Sequence, residues 1–230
     1  MSVISLESTK HRSLLITGLL ITCQSMSALL TELQTAPLVA ILRRPRVDIE
    51  LCAGALIEAG VRFVEVTIDS PAAVPFLESA AKNFKGVVFG AGTVTVPELA
   101  EKAIRAGAQF LVTPNFNLEV IRVARSHQIP IFCGAMTPTE IFAAYEAGAE
   151  VIKVFPAATL GSAYFKELRG PFPEIPLMAT GGITVDNAPD FFAAGATALG
   201  VGGSLALKDE TPASVAACQE AARKLLAAKG

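Results

Sequence analysis

The stretch EAGAEVIKVFPAA at residues 146–158 contains the pattern that decides the fold. Its opening residues EAG place a glycine where a helix ends, because glycine adopts the left-handed conformation after a helix without steric cost. The run VIKVF that follows is apolar on both faces, which is typical of a strand buried in a parallel sheet. Lys153 lies in the middle of this run, so an ammonium group where water is scarce needs a chemical reason.

The unit of apolar run, turn and alanine-rich helix repeats from Pro37 onward. The predicted strands are LVAIL (38–42), FVEVT (63–67), VVFGAG (87–92), QFLVT (109–113), IPIFCG (129–134), VIKVF (151–155), PLMAT (176–180) and ALGVGG (198–203). Strands that alternate with helices predict an α/β fold, and eight of them favour a closed (β/α)8 TIM barrel over an open doubly wound sheet. A Rossmann domain is excluded because GAGTVT at residues 90–95 lacks the GxGxxG spacing.

A single barrel domain is predicted for residues 26–230. A helix around residues 14–33 is expected to cover the bottom of the barrel. Residues 10–23 combine a basic flank with an apolar run, the layout of a weak signal peptide, but the run is shorter than the about 20 apolar residues that span a bilayer. The alternative is that the natural start is Met26 and that residues 1–25 are a disordered or non-native extension. The expected location is cytoplasmic.

Composition disfavours several classes of function. The 230 residues contain 19 Lys and Arg against 21 Asp and Glu and no basic tract, so neither nucleic acid nor a membrane is an expected partner. The four cysteines are widely spaced without a CxxC pair, and the chain has two histidines, so a zinc site is hard to assemble. The expectation is reduced core thiols, with no metal and no cofactor.

Reactive groups in such barrels collect at the carboxyl ends of the strands. Glu65 on the second strand and Lys153 on the sixth are costly to bury alone, since desolvation shifts a pKa by up to about 3–5 units. One interpretation is a structural ion pair, although buried pairs seldom add much stability. The other is catalysis, in which the lysine forms a Schiff base with a ketone and the carboxylate transfers protons. Thr67, Thr93 and Thr113 either face this site or cap helices.

Glycines at the last two strand ends predict a phosphate site. TGG at residues 180–182 follows the seventh strand and GGS at residues 202–204 follows the eighth, where loops of these barrels usually bind phosphate through backbone N–H groups. The predicted phosphate-binding residues are Gly181, Gly182, Gly203, Ser204 and, before the helix that follows the sixth strand, Gly161. The alternative is that these glycines only form tight turns.

The motifs at the strand ends resemble those of one enzyme family. They are EVT (65–67), GAGTV (90–94), TPN (113–115), KVFPA (153–157) and ATGGI (179–183). The chain is similar over roughly residues 38–205 to the 2-keto-3-deoxy-6-phosphogluconate/4-hydroxy-2-oxoglutarate aldolases, which include a 6-phosphogalactonate branch. The resemblance implies a metal-independent class I aldolase, usually a homotrimer, that cleaves a phosphorylated keto acid to pyruvate and glyceraldehyde 3-phosphate, as in the Entner–Doudoroff pathway.

The resemblance also implies roles for individual residues. Lys153 corresponds to the Schiff-base lysine and Glu65 to the general acid/base. The residues implied to bind substrate are Thr93 and Pro114 on the pyruvate side, Phe155 beside the imine, and Thr180 with the phosphate loops at the distal hydroxyl and phosphate groups.

One stretch departs from the phosphogluconate type of the family. Those enzymes commonly carry LEVTLRT, whose arginine contacts the substrate carboxylate, whereas this chain has VEVTIDS with Asp69 in that place. AILRR at residues 40–44 resembles the galactonate-type relatives, so Arg43 is expected to bind the carboxylate instead. GSAYFKEL at residues 161–168 also resembles that branch. The preferred sugar epimer therefore stays open.

Two other functions remain compatible with the residues alone. An isomerase or epimerase on a phosphate-binding barrel would share the glycine loops, but it needs paired acid/base groups or a metal. A non-catalytic phosphosugar-binding barrel would need no reactive amine. Lys153 in the middle of a strand is the feature that favours the aldolase over both.

Overall fold

The computed structural model describes residues 28–229, which form a closed barrel of parallel strands in sequence order. The strands are β1 Leu38–Leu42, β2 Phe63–Thr67, β3 Val88–Gly92, β4 Phe110–Val112, β5 Ile131–Ala135, β6 Val151–Val154, β7 Leu177–Thr180 and β8 Ala198–Val201. The predicted (β/α)8 fold is confirmed, and the strand boundaries differ from the predicted ones by at most two residues. The predictions for residues 1–25 and for Met26 lie outside the described residues.

The helices comprise one that precedes β1 and, after every strand, those that form the outer layer. They are α1 Ala28–Thr35, α2 Ile49–Glu58, α3 Ala73–Asn83, α4 Pro97–Arg105, α5 Leu118–Ser126, α6 Pro138–Glu146, α7 Ala157–Leu160, α8 Ser162–Leu168, α9 Ala188–Ala193, a 3₁₀ turn at Gly203–Leu205, and α10 Pro212–Ala227. At the start of α6, Thr137 and Glu140 form a capping box, which satisfies two N–H groups that the helix leaves unpaired. Across residues 28–229, none of these helices combines the length and apolar character that crossing a membrane requires.

Large apolar side chains fill the lower half of the barrel interior. Phe110 stacks on Phe132 with ring centroids 5.0 Å apart and meets Phe63 edge-on at 6.2 Å. Leu30 and Leu33 of α1 belong to the same buried cluster, so α1 closes the bottom of the barrel. This confirms a covering helix, which ends at Thr35 rather than at residue 33; the first part of the expected 14–33 span lies outside the described residues.

Glycine keeps the upper half of the interior open. Successive side chains of a strand point to opposite faces, so residues two positions above the apolar cluster also face inward. A Cβ atom on Gly92 would overlap the Glu65 carboxylate, and one on Gly200 would overlap the Thr180 hydroxyl. Only glycine therefore fits at position 92 on β3 and position 200 on β8, because a polar side chain of the neighbouring strand occupies the space beside each.

Arg169 fixes the connection between α8 and β7. Its half-buried guanidinium group donates to the carbonyls of Gly195 at 2.6 Å, Ile175 at 2.7 Å, and Phe172 and Pro173 at 3.2 Å each. These bonds satisfy carbonyls of the irregular segment between α8 and β7 and the carbonyl after α9. They therefore hold the start of β7 in place.

Three cysteines lie in the described part of the chain, and all are buried free thiols: Cys52 on α2, Cys133 on β5 and Cys218 on α10. Burial raises the pKa of Cys52 to about 11, and the nearby Cys218 adds to the rise. Burial also raises the pKa of Cys133 and of Cys218, so all three thiols are held in the unreactive protonated form. Cys23 lies outside the described residues.

Candidate active site

Lys153 lies on the inner face of β6. Its neighbours in register are Gly134 on β5 and Met178 on β7, and the residue is 3% exposed. Val151, two positions earlier, belongs to the apolar cluster of the lower half, so Lys153 faces the interior one layer higher. Its Nζ atom is 5.7 Å from the centroid of the Phe155 ring, within the range of a cation–π contact.

Glu65 lies on β2, which is four strands from β6 in the closed barrel. The residue is 1% exposed, and its Oε2 atom has no hydrogen-bond partner. Burial raises the pKa of the Glu65 carboxyl, while the charges of Lys153 and Arg43 oppose part of that rise. Among residues 28–229 no direct ion pair joins Glu65 to Lys153, so the interpretation of the two as a structural ion pair is wrong.

Thr180 supplies a second unpaired polar atom to the same space. It lies at the end of β7 opposite Gly200 of β8, and its buried Oγ1 atom has no hydrogen-bond partner. An unsatisfied buried polar group costs about 1–3 kcal/mol. Two such atoms in the upper half of one barrel indicate a site that a polar ligand completes.

The loops after β7 and β8 present backbone N–H groups at the mouth of the barrel. Gly181 and Gly182 have φ values of 95° and 72°, the left-handed region that favours glycine. Within the described chain, the N–H groups of Gly181, Gly182 and Gly203 have no protein acceptor. Ser204 donates its hydroxyl to the Ile183 carbonyl at 2.9 Å, which ties the two loops together. Clustered free N–H groups of this kind suit a phosphate.

Gly161 contributes differently from the other predicted phosphate residues. Its own N–H donates to the Ala157 carbonyl at 2.9 Å. Its φ is 80°, and a Cβ atom added there would meet nothing within 4 Å. Gly161 therefore offers open space beside the first turn of α8 rather than an unpaired donor.

The other predicted substrate residues surround the same mouth. Thr93 follows β3 with a φ of 59°, Pro114 follows β4 and Phe155 follows β6, and all three are half-buried. Arg43 follows β1 and is exposed; burial raises the pKa of Glu65, and the charge of Arg43 opposes part of that rise. Because the carboxyl ends of parallel strands meet at one end of a barrel, these side chains share one opening.

The threonines at the strand ends do not cap the helices that follow, which begin further along the chain. Thr67 shares a hydrogen bond of 2.9 Å with Ser70. Thr113 accepts from the Gly134 N–H at 2.9 Å and donates to the Asn115 carbonyl at 2.7 Å, which ties β4 to β5. Thr67 and Thr113 therefore stabilise the rim from below.

Sequence reasoning missed an ion pair on the rim. The Arg44 Nη2 atom lies 2.7 Å from Asp69 Oδ2, between the loops that follow β1 and β2. The signal available in the sequence was a pair of opposite charges after neighbouring strands. No group of three or more His, Cys, Asp or Glu side chains in residues 28–229 is arranged to hold a metal.

The fold and the site define a class: a (β/α)8 barrel with a buried lysine and a buried carboxyl beneath glycine-rich loops. The family model described as KDPG and KHG aldolase matches residues 29–217. The chain belongs to this family and is an aldolase, a carbon–carbon lyase, which confirms the resemblance found in its motifs.

Two curated relatives and one solved structure illustrate the similarity. The 2-dehydro-3-deoxy-6-phosphogalactonate aldolase of Escherichia coli (strain K12) is 38% identical over 174 residues, which covers 74% of this chain and 84% of that protein. The 2-dehydro-3-deoxy-phosphogluconate aldolase of Pseudomonas aeruginosa is 32% identical over 169 residues, with 73% and 76% covered. The structure titled "Native KDPGal structure" has a TM-score of 0.75 at 34% identity and covers 84% of this chain and 93% of that one.

Proposed function

We propose that this chain is a class I aldolase that cleaves 2-keto-3-deoxy-6-phosphogluconate, its galactonate epimer, or 4-hydroxy-2-oxoglutarate to pyruvate and an aldehyde. The observation that carries the proposal is the Lys153 amine, 3% exposed inside a barrel whose opposite wall holds an unpaired buried carboxyl, Glu65. Relatives of both the galactonate and the gluconate type support the substrate class.

In the proposed reaction, the nitrogen lone pair of the Lys153 amine attacks the C2 carbonyl carbon of the keto acid, and loss of water gives a protonated imine. The C3–C4 bond then breaks, and its electrons flow toward the imine nitrogen to form an enamine. The Glu65 carboxylate accepts the proton of the C4 hydroxyl as the aldehyde forms. It returns a proton to C3, and water then releases pyruvate and the free amine.

The environment of Glu65 suits this double transfer. Burial raises the pKa of its carboxyl from the ordinary value of 4.5, which brings proton uptake and release closer to neutral pH. The unpaired Oε2 atom is available to a substrate hydroxyl. No step requires a metal, because the protonated imine itself withdraws the electrons of the breaking bond.

The remaining residues hold the two ends of the substrate. Arg43, the first residue after β1, binds the carboxylate through its planar guanidinium group. The unpaired Thr180 hydroxyl binds a distal hydroxyl group of the substrate. The N–H groups of the Gly181–Gly182 and Gly203–Ser204 loops bind the phosphate.

A side-by-side assay tests the proposal and the choice of epimer. Pyruvate released from the gluconate and galactonate substrates is measured for the wild type and for Lys153→Ala. The proposal expects turnover of at least one epimer by the wild type and none by the variant. Absence of pyruvate from both epimers and from 4-hydroxy-2-oxoglutarate contradicts it.

We also propose that the chain assembles as a homotrimer. Among the described residues, the exposed large apolar side chains are Val96, Leu118, Met136 and Phe142. All four follow β3, β4 or β5, so they lie in three consecutive sectors of the barrel. Exposed apolar groups confined to one side indicate a surface between subunits. Light scattering should give about three times the 24.0 kDa chain mass, and Phe142→Glu should reduce it. A monomeric wild type contradicts the assembly.

The proposed location is the cytoplasm. Three buried free thiols, Cys52, Cys133 and Cys218, are typical of a compartment that keeps cysteines reduced. Cell fractionation of the tagged full-length protein tests this, and recovery outside the cytoplasm contradicts it.

A further inference from the structure

The rim of the barrel mouth between β1 and β2 carries two consecutive arginines and one carboxylate. Arg44 contacts Asp69 through its guanidinium group at 2.7 Å, and it also donates its backbone N–H to Ser70 Oγ at 2.9 Å. The Ser70 hydroxyl is bonded to Thr67 Oγ1 at 2.9 Å. Thr67 is 0% exposed and Ser70 is 4% exposed. The exposed ion pair is therefore anchored on a buried pair of hydroxyl groups.

The backbone of Arg44 shows that these contacts hold a specific turn. Its φ is 44°, in the left-handed region that a non-glycine residue seldom occupies. Such a conformation persists where surrounding contacts determine it. One contact is made by the side chain and one by the backbone N–H, and both lead to the segment after β2. The direction in which the chain leaves β1 is therefore set by Asp69 and Ser70.

Arg43, one residue earlier, faces the mouth. Ile41 is in register with Glu65, and side chains of paired residues lie on the same face of a parallel sheet. The alternation along β1 that puts Ile41 inward also puts Arg43 inward. In agreement, burial raises the pKa of the Glu65 carboxyl and the charge of Arg43 opposes part of that rise, so Arg43 lies close enough to act on Glu65. The two neighbouring arginines thus have different surroundings, since Arg44 is paired on the rim and Arg43 faces the site.

We propose that Arg44 and Asp69 are positioning residues that aim Arg43 at the carboxylate of the 2-oxo acid. This inference rests on the proposed aldolase function. Asp69 binds the guanidinium group of Arg44 and thereby fixes the turn. The guanidinium group of Arg43 then points into the mouth. Without Asp69, the Arg44 side chain loses its partner and the turn loses a restraint, and Arg43 then samples directions away from the substrate.

Steady-state kinetics of the full-length protein test the pair. Asp69→Asn and Arg44→Ala should each raise KM for the keto acid about three- to tenfold while kcat changes less than twofold, because the chemistry at Lys153 is untouched. Arg44→Lys, which keeps a positive charge opposite Asp69, should recover part of the loss. The matched control is Glu32→Gln, which removes a carboxylate from the Arg62–Glu32 ion pair near the bottom of the barrel and should leave KM unchanged.

A double variant separates positioning from a direct effect. If Asp69 acts through Arg43, then adding Asp69→Asn to Arg43→Ala should raise KM no further than Arg43→Ala alone. If the double variant shows the product of the KM increases of the two single variants, the proposal is overturned. A wild-type KM in Asp69→Asn also overturns it. Melting temperatures of each variant show whether a change in KM merely follows unfolding. An inactive wild type would instead count against the aldolase function itself.

Discussion

Glu65 on β2 and Lys153 on β6 lie on opposite walls of the barrel and, among the described residues, make no direct ion pair. Each is almost fully buried, and one oxygen of Glu65 has no partner at all. A barrel selected for stability alone would pair such groups or replace them with apolar side chains. Their separation keeps both available to a molecule that enters between them.

Replacing Glu65 should reveal both a catalytic and a stability effect. Glu65→Gln is expected to bind pyruvate but to turn over about 10²–10⁴-fold more slowly, the usual contribution of general acid–base catalysis. The folded-state pKa is raised, so the folded protein binds this proton more tightly than the unfolded chain does. Stability is therefore lost as pH rises from the ordinary value of 4.5 through the raised pKa, and the variant should escape that loss.

Thermal unfolding at two pH values checks the sign of this effect. The variant should melt above the wild type at neutral pH, and the difference should shrink at a pH below 4.5. Glu174→Gln, at an exposed position, is the matched control and should show no such pattern. A variant with wild-type turnover, or with a stability gain that grows at low pH, contradicts the assigned role.

Removing Arg43 should weaken binding of the substrate carboxylate. Arg43→Ala is expected to raise KM for the keto acid about 10–100-fold, because a hydrogen bond to a charged group contributes about 1.5–3 kcal/mol. Arg223→Ala removes the same charge from an exposed position on α10 and should not change KM. An unchanged KM in Arg43→Ala would assign the carboxylate to another residue.

The inward glycines should tolerate no side chain. Gly92→Ala places a Cβ atom against the Glu65 carboxylate, so a loss of about 1–3 kcal/mol in the free energy of unfolding is expected, together with reduced turnover. Gly54 on α2 has nothing within 4 Å of its Cβ position. Gly54→Ala should therefore gain about 0.5–1 kcal/mol from the better helix propensity of alanine. Equal effects of the two substitutions, measured by denaturant unfolding, would refute this.

The Arg169 guanidinium should contribute to stability rather than to catalysis. Arg169→Lys keeps the charge but cannot reach four carbonyls in different directions, so a loss of about 1.5–3 kcal/mol is expected without a change in KM. Arg122→Lys, on the exposed face of α5, is the comparison and should cost little. Chemical denaturation compares the free energies of unfolding of the two variants. Equal losses would contradict a stabilising role for the bonds from Arg169 to the four carbonyls.

The strands could be predicted from the sequence because apolar runs and glycine-ended helices repeat at regular spacing. Lys153 and Glu65 were found for the same reason, since a charge inside an apolar run contradicts its surroundings. Helix starts were less predictable. Helix α9 begins after Asn187 without a side-chain cap on its own first turn, and the reciprocal bonds lie one turn earlier: Thr184 Oγ1 accepts from the Asn187 N–H at 3.4 Å, and Asn187 Oδ1 accepts from the Thr184 N–H at 2.9 Å.

Contacts between distant segments could not be predicted from local patterns. Gly92 was interpreted as part of a strand-end motif and Gly200 as a residue of the eighth strand, whereas in the barrel they leave room for Glu65 and Thr180 on neighbouring strands. The partner of Arg44 depends on which loops meet at the rim, and no periodicity encodes that. Propensity and pattern describe a segment, while these interactions depend on the closure of the barrel.

Covalent trapping tests the central claim most directly. The wild-type protein is incubated with pyruvate and borohydride, which reduces a Schiff base to a stable secondary amine, and the modified peptide is identified by mass spectrometry. The account predicts one adduct per chain, on Lys153, and none in Lys153→Ala. An unchanged mass of the wild type, or an adduct on a different lysine, would contradict it.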